Sequence, residues 1–253
     1  MRSRAALLIW AVSARLVIAG GPRERGEDLL AADPRPLSAA VRLFQDRCHC
    51  VVTYEDPKWR ADQVEHLAET RADPEKPLIP AGHPFMFIVP RDVALLPRAE
   101  IGASLQQMLD AYDRTNDAGP FRLVASETAW HIAPRAGSVL DARITVPPAD
   151  RSIDEAVEAI LSAVRASTGE DIAFAGTASN WRKQTRATIG ADNERARDVL
   201  ARVVTADHTE YSWDARAHVL TANPTKCSWA LLYDFSVRRY YLNLGSVKRS
   251  GTA

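Results

Sequence analysis

The chain reads as an α+β protein of two small domains, each with two helices packed on a short mixed or antiparallel sheet. Three observations predict this. Helix-like and strand-like patterns alternate in short pieces along the chain. The order helix–strand, strand–helix, then two strands occurs twice, as a repeat of element order rather than of residue identity. Beyond the N-terminus, no run approaches the ~18 apolar residues of a membrane span. The expected boundaries are 36–136 and 137–245. An export signal over 1–20 and a linker over 21–35 precede them, and a flexible tail over 246–253 follows.

The strongest local pattern is Arg151 to Gly176, RSIDEAVEAILSAVRASTGEDIAFAG. Ile153, Ala156, Val157, Ile160, Leu161 and Val164 share one helix face. Ser152 followed by Glu155 is a capping box, and Gly169 stands where a left-handed residue ends a helix. Ile172 to Phe174 then reads as a short strand against that helix.

The other elements follow from the same rules. Pro36 suits a first helical turn, and Leu37, Ala40, Val41 and Phe44 give a short amphipathic helix. Cys48 to Tyr54 reads as the next strand. Residues 58–80 are rich in proline and read mostly as loop. Phe85 to Val89 reads as a strand between two prolines. Ile101, Leu105, Met108, Leu109 and Tyr112 mark a second helix. Phe121–Ala125 and Ala129–Ala133 read as a hairpin. In the second half, Val139–Val146 and Ala187–Gly190 read as strands. Ala196, Val199, Leu200, Val203 and Val204 mark a helix capped near Asp192 or Asn193. Tyr211–Trp213 and His218–Ala222 read as a hairpin, and 228–244 adds two strands around Asp234 to Arg238.

Composition narrows the function. With 253 residues, the chain suffices for two cores. Lys+Arg and Asp+Glu are both 32, a net charge of zero. A phosphate-backbone binder usually carries a basic excess, so no nucleic-acid partner is expected. Arg2 and Arg4 followed by the apolar run Ala5 to Ala14 have the pattern of an export signal. That places the protein in the periplasm or outside the cell, with membrane contact only through an uncleaved signal.

Candidate chemistry is sparse. Cys48, His49 and Cys50 invite a metal reading, but a regular strand turns His49 away from both thiols. The cysteines are expected to be small buried residues, with no metal, no cofactor and no mutual bridge. One of them could pair with Cys227. The six histidines are scattered and no catalytic motif is present, so no catalytic residue is assigned. Glu55 and Asp56 close a strand and point apart, with Asp56 expected to accept backbone N–H groups in a turn. In the loop 177–186, Trp181 stands with Arg182, Lys183 and Arg186. That mixture makes these four the candidate partner contact.

Leu37 to Tyr54, a leucine-led amphipathic helix, a turn and an apolar strand ending in tyrosine, resembles the short N-terminal module of secretins and signalling TonB-dependent receptors. Ile153–Phe174 and Ala196–Leu220 are similar to secretin periplasmic repeat domains. Ser228-Trp229, Tyr233-Asp234 and Tyr241 to Leu244 resemble the close of uncharacterised exported bacterial proteins with that module. The resemblance implies two α+β domains and a non-catalytic role in protein contact in the cell envelope. The alternative is an exported hydrolase with a site between the domains or near the 58–80 loop.

Ile160 lies at the centre of the strongest apolar face. Ile160→Asp is expected to lower the melting temperature sharply, because an unpaired buried carboxylate costs several kcal/mol. An unchanged thermal transition would place this face outside the core.

Overall fold

The structure is a computed structural model that describes residues 26–65, 78–116, 121–175, 180–204, 208–214 and 219–248. The side chains of 180, 181, 208–214, 219–225 and 248 fall outside that description. The expected export signal over 1–20 and the turn over 117–120 also lie outside the described residues.

The fold is α+β, as the sequence pattern predicts. Helices α1 (Pro36–Cys48), α2 (Arg98–Thr115), α3 (Ile153–Thr168), α4 (Asn180–Gln184) and α5 (Ala196–Val204) accompany one large mixed sheet and three two-stranded pairs. The large sheet contains β2 (Val52–Glu55), β6 (Phe121–Ala125), β7 (Trp130–Pro134), β9 (Ile172–Phe174), β12 (Val219–Asp234) and β13 (Arg239–Lys248). Their order is β6-β7-β2-β12-β13-β9, with β11 (His208–Asp214) paired to the first part of β12. The sheet therefore crosses the boundary at 136/137 expected from the sequence. The crossing is the parallel pairing of Tyr54 with Ala230 and of Glu55 with Leu231. The buried apolar core is likewise continuous through both halves.

Local signals explain the helices. All six residues of the apolar stripe on α3 are buried. Ser152 Oγ accepts from the Glu155 N–H at 3.3 Å, and Glu155 Oε2 accepts from the Ser152 N–H at 2.7 Å. Gly169 ends the helix at φ 72°, the left-handed region that favours glycine. Arg165 then donates to the Ile172 carbonyl at 2.7 Å, tying the helix end to β9.

Several expectations are corrected. The stretch 21–35 is not a plain linker: β1 (Glu27–Ala31) pairs antiparallel with β5 (Phe85–Val89). β1 is short and half polar, and its partner lies far along the chain, so no local period announces it. The expected strand Cys48–Tyr54 starts only at Val52, because α1 runs through Cys48. His49 takes φ 51°, the chain reverses, and Cys48 and Cys50 form a disulfide. Cys227 is buried in β12 and takes no part in it. The strand expected over Val139–Val146 is β8 (Arg143–Ser152), entered through a 3-10 turn at Val139–Asp141. β8 pairs with β10 (Arg186–Arg195), which contains the expected strand Ala187–Gly190 and runs on through the expected cap region before α5. Asn193 lies inside β10 at a register shift, with φ 51°, rather than capping the helix. The expected tail over 246–253 is in β13 as far as Lys248. Within the 58–80 loop, a pair of two-residue strands forms, β3 (Val64–Glu65) with β4 (Ile79–Pro80). Residues 66–77 are outside the described residues.

One glycine controls how α2 meets the sheet. A Cβ on Gly102 would stand 2.6 Å from Cη2 of Trp130. The indole of Trp130, buried in β7, fills that space, and the Arg98 guanidinium lies 4.5 Å from its ring centre. Propensity alone favours Gly102→Ala by about 1 kcal/mol. The packing reverses the sign, because overfilling a core costs about 1–3 kcal/mol. Gly102→Ala is expected to lower stability in urea unfolding, and a gain would show that Trp130 moves aside freely.

Candidate functional site

The chemically unusual part of the fold is the end of β2, where two adjacent carboxylates are buried. Glu55 is 1 % exposed and Asp56 0 %. They serve different partners, as residues alternating across a sheet must. Asp56 Oδ1 accepts from the Tyr54 phenol at 2.7 Å. Its Oδ2 accepts from the Tyr233 N–H at 2.9 Å and from Arg35 Nε at 3.1 Å. So Asp56 does accept a backbone N–H, but one from β12 across the sheet rather than from its own turn. Glu55 Oε1 accepts from the Val139 N–H at 2.8 Å, and Oε2 accepts from Ser138 Oγ at 2.7 Å and Arg197 Nη2 at 3.2 Å. Burial pushes the pKa of both acids above the usual carboxylate range. The arginines and hydrogen bonds pull the other way.

Arg197 leads from this network to a cavity. Its side chain is 2 % exposed, and Nη1 stands 2.9 Å from Asp141 Oδ1. Asp141 also pairs with Arg122. Arg122 and Val124 of β6, Asp141, Arg143 of β8, and Arg195 and Arg197 at the β10–α5 junction line a cavity of about 380 Å³. Arg143 and Arg195 are directly opposite each other in the β8–β10 ladder. Like charges so placed repel. Nε of Arg122 and of Arg197 is enclosed, with no hydrogen-bond partner among the described residues.

A third feature is His131 on β7. Its Nδ1 lies 2.7 Å from Thr53 Oγ1 and its Nε2 lies 3.0 Å from Ser126 Oγ. A serine beside a histidine has the look of a nucleophile and its base. The neighbours point elsewhere. Ser126 Oγ is 3.2 Å from both the Ala129 N–H and the Ala129 carbonyl, across the hairpin turn. The assignment that satisfies every atom has Thr53 donating to Nδ1, Nε2 donating to Ser126, and Ser126 donating to Ala129. Burial, with Arg197 and Arg98, pushes the His131 pKa down to about 3, far from the near-neutral value that suits a general base. The triplet fastens the β6–β7 hairpin to β2.

The contact residues chosen from the sequence divide. Residues 180–184 form α4 rather than loop. Arg182 is buried and donates from Nε to Asp154 Oδ1 at 2.7 Å, so it is a structural tie between α4 and α3. Arg186 is exposed and pairs with Asp150 at 2.8 Å and Glu155 at 3.4 Å. Lys183 is exposed. The side chain of Trp181 lies outside the described residues. Sequence reasoning missed Arg197, which looks like one more solvated cation on a short helix. The two acids closing β2 were the signal that a buried cation had to exist.

The apolar surface lies elsewhere. Leu30 and Met86 are directly opposite in the β1–β5 pair, and Ile88 shares their outward face. All three are more than half exposed. Beside Ile88 a groove of about 480 Å³ runs between β5 and α2, past Arg91, Leu96, Glu100 and Gln107. Among the described residues, no cluster of His, Cys, Asp and Glu is arranged to hold a metal ion, and no helix is long and apolar enough to cross a membrane.

The His131 environment makes a pH prediction. The unfolded chain holds this imidazole near 6.5 and the folded chain holds it at about 3. Between those values the unfolded state binds the extra proton. The stability that comes from neutral His131 is therefore complete above about pH 6.5 and is lost as pH falls toward 3. The slope is at most about 1.4 kcal/mol per pH unit. Glu55 and Asp56, with raised pKa values, act with the opposite sign: their contribution is present in acid and lost as pH rises through the folded value. Comparison with His131→Gln isolates the histidine. From pH 7 to pH 5, the native chain is expected to lose about 2 kcal/mol more than His131→Gln in urea unfolding. Equal losses would show that His131 is not held neutral by the fold.

In comparisons with protein-family models, curated proteins and solved structures, nothing matches this chain.

Proposed function

We propose that the protein is a non-catalytic interaction module of the cell envelope, acting in the periplasm or outside the cell. The observation that carries this reading is the outer face of β1 and β5, where Leu30, Met86 and Ile88 stand exposed side by side and continue into the groove along α2. A contiguous exposed apolar face on a folded protein marks a surface that another molecule covers. Among the described residues, β1 and β5 pair only with each other, so each offers an outer edge. The occupant that fits is an extended segment of a partner protein. It would add main-chain hydrogen bonds at an edge and insert alternate apolar side chains over Ile88. The signal-like start and the resemblance of Leu37 to Tyr54 to envelope modules support the same location. So does the Cys48–Cys50 disulfide, since such bonds persist in oxidising compartments.

The test uses the full chain with a photo-crosslinking residue at Met86, and at Arg42 as a control position. A partner crosslinked from Met86 but not from Arg42 is then purified and titrated. Ile88→Asp is expected to leave the melting curve within about 0.5 kcal/mol of native, because the side chain faces solvent. It is expected to weaken the partner at least tenfold if Ile88 is an anchor. Equal crosslinking from both positions, or an affinity unchanged by Ile88→Asp, would overturn the assignment of this face.

A further inference from the structure

We propose that the arginine-walled cavity between β6 and the β8–β10–α5 junction binds the phosphate monoester group of a small molecule. The walls are Arg122, Asp141, Arg143, Arg195 and Arg197. Charge is the first reason. Asp141 is shared between Arg122 and Arg197, and Glu55 takes Arg197 from the side of the core. That leaves Arg143 and Arg195 with no carboxylate partner among the described residues. Arg143 donates from Nη1 to the Asn193 carbonyl at 2.6 Å, which fixes its position without neutralising it. Arg195 stands opposite it in the ladder. Like charges directly opposite each other in a ladder are destabilising unless an anion offsets them.

The unused donors are the second reason. The Arg197 side chain is 2 % exposed, yet its Nε has no partner, and Arg122 Nε is likewise enclosed and unpartnered. A buried guanidinium normally has its donors satisfied. Arg197 is held by Asp141 through Nη1 and by Glu55 and Ser138 through Nη2, so it cannot turn to satisfy Nε. Arginine forks suit phosphate oxygens, and four of them around one space suit a group with three oxygens better than a planar carboxylate. Helix α5 begins at Ala196, in the wall itself, and its positive end adds to the potential. A volume of about 380 Å³ is in the range of small-molecule sites and leaves room beside the phosphate for the group it esterifies.

The test is binding of sn-glycerol 3-phosphate to the full chain by calorimetry, with sodium chloride at matched ionic strength as the blank. Phosphatidic acid vesicles diluted in phosphatidylcholine form a parallel arm for a lipid-borne phosphate. The variants are Arg195→Ala and Arg143→Gln, both at exposed positions, with Arg42→Ala as a distant loss of one charge. The free ester is expected to bind, and each cavity variant to weaken it at least tenfold, while Arg42→Ala leaves it unchanged. Melting curves without ligand confirm that the variants fold. Binding confined to the vesicles would overturn the small-molecule assignment. No binding in either arm, or equal weakening by Arg42→Ala, would overturn the site itself.

Discussion

The fold hinges on two neighbouring carboxylates at the end of one strand. β2 lies between β7 and β12, so both its edges are paired, and the two acids at its end are buried. Burying two charges there costs several kcal/mol each unless donors replace the water. Asp56 finds them in Arg35, ahead of α1, in Tyr54, and in the backbone of β12. Glu55 finds them in Ser138, Val139 and Arg197, which all belong to the second half of the chain. The Asp56 N–H also donates to the Leu231 carbonyl at 2.8 Å. A slip of one residue at the β2–β12 pairing would exchange the two faces and strip both acids of the donors they find outside β2. The register that joins the halves is thus set by polar satisfaction as much as by apolar packing.

This division explains what could be read from the sequence. Elements specified by short-range signals were legible. In α3 the cap, the stripe and the terminal glycine all lie within one run. The β6–β7 hairpin and the helix over Arg98 to Thr115 were visible for the same reason. Elements specified by distant partners were not. β1 has no period of its own and exists because Phe85 to Val89 offers an edge. Cys48 and Cys50 looked like strand residues sharing a face, and a left-handed His49 at the end of α1 brought their sulfurs together instead. Arg182 and Arg197 look like surface cations in a one-letter string. Only the fold shows Asp154 waiting for the first and Glu55 for the second.

The neutral composition has the same origin. Equal numbers of acids and bases argue against an overall basic excess, yet they say nothing of where charges sit. Pairings such as Arg182–Asp154, Arg202–Glu194 and Arg239–Asp171 link elements across the fold. The exposed ones contribute little each. The buried ones tie α4 to α3 and α5 to β2. Against that background of paired charge, Arg143 and Arg195 stand out because they are opposite each other in the β8–β10 ladder with no carboxylate partner among the described residues. The apolar patch on β1 and β5 stands out for the complementary reason, since the large apolar side chains of β2, β7 and α3 are covered.

The cavity and the buried acids share one residue, and that links the candidate site to the core. Arg197 uses Nη1 and Nη2 for Asp141, Ser138 and Glu55, and a guanidinium offers five donors in a fixed plane. Its Nε is enclosed, so an anion in the cavity would be drawn by the charge of Arg197 and would leave these bonds in place. Glu55 and Asp141 would in turn hold the guanidinium rigid, so little side-chain freedom is left to lose when an anion arrives. The costly burial of Glu55 at the β2–β12 junction thereby places a charged donor at the cavity wall, its position fixed by the sheet that joins the two halves.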